Sequence, residues 1–189
     1  MKMIYNLRVK FADFLLKRKV AGKRRNVAVC NLEDAKSVGI LFNALDESTY
    51  KTVKTYVNKL RSEGIRKVMA LGYVDTKVVP AYLPYKVYLD FISKSDLNKF
   101  LIPVSSSVDN FLNETYDILI DISEDDCFPM RYMLVMADAK LKVGKCCNEK
   151  NEYYDLRIEI EERKTVGYLT EQIDRYLRMI NKRNYEKQI

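Results

Sequence analysis

Apolar residues along this chain follow two patterns, short unbroken runs and longer stripes at steps of three and four, and the two patterns alternate. Residues 37–42 (SVGILF), 67–71 (KVMAL) and 116–122 (YDILIDI) are runs bounded by polar residues, as in strands buried on both faces. Tyr50, Val53, Tyr56, Val57 and Leu60 mark one face of a helix that Asp46 can cap and Gly64 can end. Residues 105–113 open on a serine cluster and turn Val108, Phe111 and Leu112 inward, which predicts a short helix. Pro129 suits the first turn of another, running to Ala139. Residues 86–91 (KVYLDF) alternate like a half-exposed edge strand, and residues 141–143 form a short fifth strand ending at Gly144.

Too few residues separate Gly144 from Tyr154 for a crossover helix, and residues 148–151 are turn-like. Leu156, Ile158 and Ile160 are therefore expected to return as an antiparallel edge strand with Arg157, Glu159 and Glu161 outward. A last helix over residues 165–182 carries Val166, Leu169, Ile173, Tyr176, Leu177 and Ile180 on one face. Strands alternating with helices predict a three-layer, doubly wound α/β domain with a mostly parallel sheet of order 3-2-1-4-5-6. This single Rossmann-like domain would occupy residues 26–189. A ligand site in such a sheet lies at the topological switch between strands 1 and 4, near residues 43–47 and 123–126.

Charge alters this picture at one place. The first 25 residues hold Lys2, Arg8, Lys10, Lys17, Arg18, Lys19, Lys23, Arg24 and Arg25 against Asp13 alone, a net +8. The remainder carries 24 of the 33 basic and 25 of the 26 acidic residues, so the formal +7 belongs to this segment. Within it Ile4, Leu7, Phe11, Phe14 and Leu15 recur at helical spacing, giving a basic amphipathic helix. Such a helix can dock on its own body or on a second copy of the chain. It can also lie on an anionic membrane surface, or hold nucleic-acid phosphates or a protein partner.

Composition excludes more than it assigns. The chain has no histidine, which removes Ser-His-Asp and Cys-His catalysis and the HExxH zinc site. Its six glycines are spaced neither as GxGxxG nor as GxxxxGK[ST]. Cys30, Cys127, Cys146 and Cys147 form no CxxC pair, and with no secretory signal or membrane-spanning run the expectation is a cytoplasmic protein with reduced thiols, membrane-peripheral at most. The chain is read as non-catalytic, with no cofactor assignable.

Three constellations could still carry chemistry. Asp121, Ser123, Glu124, Asp125 and Asp126, at the end of a central strand, could hold a hard cation through oxygen ligands, or could simply cap and solvate a helix start. Asn43, Asp46, Glu47 and Ser48 after the first strand could offer an anion polar contacts and free helix amides, or Asp46 could act as a cap alone. Tyr73, Tyr82, Tyr85 and Tyr88 with Lys77 and Lys86 could stack bases or sugars, or pack an edge loop.

The segments YDILIDIS (116–123), FPMRY (128–132) and ADAKLKVG (137–144), together with SVGILF (37–42), resemble an uncharacterised Bacteroidetes family, a domain of unknown function, over residues 25–182. That resemblance implies a bacterial cytoplasmic protein with no assigned activity. Residues 116–144 also resemble the first domain of heptosyltransferase-like glycosyltransferases, where a DLVIDL strand leads through a helix to an AKxRIG segment. In those enzymes a second Rossmann-like domain binds the sugar nucleotide. The resemblance thus implies half of that architecture, with the activity expected to be missing. The rival reading it supports is an enzyme acting on a phosphorylated or nucleotide-linked sugar.

Overall fold

The computed structural model describes residues 2–21, 25–146, 151–160 and 165–180, with side chains from residue 7 onward except at 151. The elements are α1 (Lys2–Val20), β1 (Ser37–Asn43), α2 (Glu47–Ser62), β2 (Lys67–Val74), β3 (Leu89–Ser93), α3 (Ser106–Leu112), β4 (Thr115–Asp121), α4 (Phe128–Met136), β5 (Asp138–Lys145), β6 (Leu156–Ile158) and α5 (Val166–Met179). Short 3-10 turns lie at Lys94–Asp96 and Asn151–Tyr153. The six strands form one sheet in the expected order β3-β2-β1-β4-β5-β6.

Every neighbouring pair in that sheet is parallel, the last included, which corrects the expected antiparallel return of β6. The described part of the connection, after residue 150, holds a single 3-10 turn at Asn151–Tyr153. Tyr153 and Tyr154 lie in the core on the α4 side of the sheet, and the Tyr154 ring fills the space above Gly144, where a Cβ would overlap it. Asp155 N then donates to Lys142 O and Cys146 N to Ile158 O, so β6 runs alongside β5 in the same sense. Residues 147–150, part of the expected turn, and Glu161 lie outside the described residues.

Central strands are buried on both faces because their residues alternate between two helical layers. Val38, Ile40 and Phe42 of β1 point toward α2 and α5, where Val53, Val57, Leu60, Leu169, Ile173 and Leu177 complete one core. Leu41, Leu71 and Leu119 point the other way, toward α3, α4 and α1, meeting Phe111, Phe128, Met133 and Leu16. Asp46 caps α2 by accepting from Thr49 N at 2.7 Å, and Gly64 follows in the left-handed region at φ 94°.

Several boundaries differ from expectation, among them the end of β6 at Ile158 rather than Ile160. β3 begins at Leu89, because Lys86 and Leu89 exchange backbone bonds in a tight turn that leaves Val87 fully exposed. α4 ends at Met136 and β5 starts at Asp138, pairing with β4 from its first residue. α5 ends at Met179, and the expected extension to Lys182 passes beyond the described residues.

Candidate functional site

β1 and β4 lie side by side, with Leu41 opposite Asp121, so their carboxyl ends form the switch crevice that the topology predicts. Asn43 is 5% exposed; its Nδ2 donates to Cys127 Sγ at 3.4 Å, while no donor reaches its Oδ1. Ser123 Oγ across the crevice is likewise buried without a partner. Asp121 is 1% exposed and differently placed: Oδ1 accepts from Ser123 N at 2.9 Å and Oδ2 from the Tyr154 hydroxyl at 2.6 Å. It ties β4 to the chain entering β6.

The four carboxylates of residues 121–126 therefore do not converge. Asp126 pairs with Arg131 at 2.9 Å, and Arg131 also reaches Asp13 of α1 at 3.4 Å. Glu124 is directed elsewhere, into a cleft of about 290 Å³ with Asp46, Ser48, Thr49 and the start of α5. Partial burial pushes the Glu124 carboxyl up, and Asp125 and Asp46 nearby add to the shift. The Asp46 carboxyl is held low by its hydrogen bond from Thr49 N, as a helix cap's should be. Among the described residues no group of three or more carboxylate or thiol side chains could hold a metal ion.

That cleft shares Thr52 and Gly167 with a cavity of about 450 Å³ between α2 and α5, lined also by Tyr56, Lys59, Thr170 and Asp174. Asp174 accepts from Lys59 at 2.9 Å and from Arg178 Nε at 2.9 Å. The tyrosine cluster does not form a platform. Tyr73 is buried with its hydroxyl on Asp75, Tyr85 packs edge-on against Phe91, and Tyr88 lies under Arg61.

α1 is held by a face different from the predicted stripe. Ala12 and Leu16 are the buried residues, packed against the α4 layer, with Val9 and Val20 beside them. Burying Leu16 contributes about 1.5–3 kcal/mol. Leu7, Phe11 and Phe14 instead face outward at 62%, 49% and 59% exposure, Leu15 is half-buried, and the side chain of Ile4 lies outside the described residues. The Phe11 ring meets Phe100 at 5.7 Å. Arg8 donates to Lys99 O at 2.8 and 3.1 Å, Lys17 approaches Glu152 at 3.5 Å, Lys19 donates to the Tyr132 hydroxyl at 3.1 Å, and Arg25 pairs with Asp155. Lys10 and Arg18 are exposed; Lys23, Arg24 and the Lys2 side chain are outside the described residues.

Sequence reasoning missed Tyr154, Arg131 and Phe100, the residues that settle what Asp121, Asp126 and Phe11 do. Only Phe100, an aromatic residue beside Lys99 in a polar stretch, left a signal.

A family model described as a family of unknown function (DUF6913) matches residues 8–180. No curated protein matches the sequence. Among solved structures, the E. coli heptosyltransferase WaaC with ADP is similar at TM-score 0.45 and 11% identity over 79% of this chain and 49% of that one. The same enzyme with ADP-2-deoxy-2-fluoro heptose is similar at TM-score 0.42 and 10% identity, covering 73% and 47%. The chain spans about half the length of these structures.

Proposed function

The chain belongs to this family of unknown function, DUF6913, and we propose that it is a non-catalytic cytoplasmic binding or scaffold domain that associates with its partner through α1. One observation carries the reading: α1 is fixed to the body by Ala12 and Leu16 and turns Leu7, Phe11 and Phe14 to solvent. An apolar face without cover is the mark of an association surface. The family match begins at Arg8 and so includes Phe11 and Phe14.

Deleting residues 1–25 would uncover the α4 layer, so the test uses substitution. Full-length protein expressed in bacteria should sediment in part with large assemblies, and Leu7→Ser/Phe11→Ser/Phe14→Ser should move it to the supernatant. Equal partition of the two would overturn the proposal.

A second reading, an enzyme acting on a phosphorylated or nucleotide-linked sugar, draws on the unsatisfied Asn43 Oδ1 and Ser123 Oγ at the switch. In it Asn43 and Ser123 would face the ligand with Asp125 at the rim, while Asp121 and Asp126 are committed to Tyr154 and Arg131, and Asp46 and Glu124 line the neighbouring cleft. Mg²⁺ and nucleotide sugars should then raise the thermal midpoint, since they bind only the folded state. No shift across the panel leaves this reading without support.

A further inference from the structure

Resting on the association reading, we propose that the surface α1 engages is an anionic lipid bilayer. At roughly 100° per residue, Leu7, Phe11 and Phe14 project from one side of the helix with Arg18 among them. Lys10 and Lys17 fall on one flank of that stripe, Arg8 and Lys19 on the other. The stripe does not stop at the helix, since Phe100 of the neighbouring loop packs on Phe11 and Lys99 lies over the Phe100 ring. The result is an exposed strip of Leu7, Phe11 and Phe14 with Arg18 inside it and Lys10 and Lys17 along its open flank, while Arg8 and Lys19 on the other flank are held by Lys99 O and the Tyr132 hydroxyl. Such a mixed apolar and basic face can lie in a headgroup layer.

Charge complementarity selects the occupant. Lys10, Lys17 and Arg18 are exposed on the outer side of α1, and the one acid of the first 25 residues, Asp13, faces Arg131 on the docked side. Cations beside an anionic leaflet each raise affinity roughly fivefold, and long basic side chains can reach the headgroups while the strip sinks between them. A nucleic acid would satisfy the cations but leave Leu7 wet between phosphates. The helix is also presented ready-made: Ala12, Leu16 and the Arg8 bonds to Lys99 O hold it outward, so no coil-to-helix ordering is needed on binding. No described helix is long and apolar enough to cross a membrane.

Flotation of the full chain with vesicles tests this. The protein should float with phosphatidylcholine vesicles containing about one-third phosphatidylglycerol, stay down with phosphatidylcholine alone, and release as salt rises. Phe11→Ser/Phe14→Ser should weaken binding roughly tenfold or more, and Lys10→Gln/Arg18→Gln should weaken it and flatten the salt dependence. All four side chains are exposed, so an unchanged melting midpoint confirms that the variants fold. Absence of flotation with the anionic vesicles, or wild-type binding by the Phe11→Ser/Phe14→Ser variant, would overturn the proposal. If the chain instead self-associates or binds single-stranded RNA, and those serine substitutions abolish that, the lipid is wrong and the association arm stands. If they alter no association of any kind, both fall.

Discussion

The Tyr154 hydroxyl donates to Asp121 Oδ2 at 2.6 Å, joining the segment that enters β6 to the last residue of β4 beneath the switch crevice. With Ser123 N on the other oxygen, the carboxylate is fastened on both sides. The bond ties Asp121 into the fold and holds the segment entering β6 against the end of β4.

Tyr154→Phe should therefore destabilise the protein by about 1–3 kcal/mol, the cost of leaving a buried acceptor short of its donor. Chemical denaturation measures this directly. A midpoint equal to wild type would mean that the bond contributes nothing net. Gly144→Ala should also destabilise, through overlap of its Cβ with the Tyr154 ring.

Strand order and the burial of β1, β2 and β4 were legible because the runs at residues 38–42, 68–71 and 118–120 have no polar face, which forces a central, two-sided position. The direction of β6 was not, because chain length alone set the expectation and the packing of Tyr154 into the space over Gly144 is a tertiary contact. The same limit applied at residues 121–126. Asp121, Glu124 and Asp126 go to different sides of a strand end, and their destinations depend on Tyr154, the start of α5 and Arg131, all distant or unremarkable in sequence. In α1 the larger apolar residues drew the stripe, but Ala12 and Leu16 lie where α4 comes close, and close approach favours a small residue beside a single large one.

The two faces of α1 make separable predictions. Leu16→Ala, at a position 2% exposed, should cost about 2–4 kcal/mol. Phe14→Ser, at 59% exposure, should leave the thermal midpoint within about a degree or two, as surface substitutions do. Differential scanning calorimetry on the pair separates docking from display, and equal losses would mean that α1 is held by its outer stripe.

Lys142 has a use that its charge concealed from sequence reasoning. It is 4% exposed on β5, and its Nζ donates to Leu134 O at 2.5 Å and Val135 O at 3.2 Å, satisfying the last carbonyls of α4. Lys142→Met keeps much of the apolar stem and removes the donor, so it should destabilise by about 1–3 kcal/mol. Hydrogen exchange should then show the last turn of α4 losing protection while β4 keeps its own. Uniform loss across both would contradict a local capping role.

Acid sensitivity should centre on Asp174. Burial pushes its carboxyl up, but hydrogen bonds from Arg178 and Lys59 together outweigh that and hold it below the ordinary carboxylate range. Asp117 shifts the same way: burial raises it, but bonds from Lys140 and from Lys36 N and Ser37 N outweigh this. A carboxyl lowered in the folded state binds fewer protons there than in the unfolded chain, so it stabilises above the unfolded value, about 3.9, and that stabilisation fades as pH falls through the folded value. Asp174→Asn should cost about 1–2 kcal/mol at neutral pH, since the lost pairs are only partly shielded from water. The gap should begin to narrow below about pH 4, where Asp174 of the unfolded chain takes up its proton, and close as pH falls through the lower folded value. Urea denaturation of both proteins across this range reads the difference. A gap constant with pH would mean that Asp174 acts by packing and not by charge.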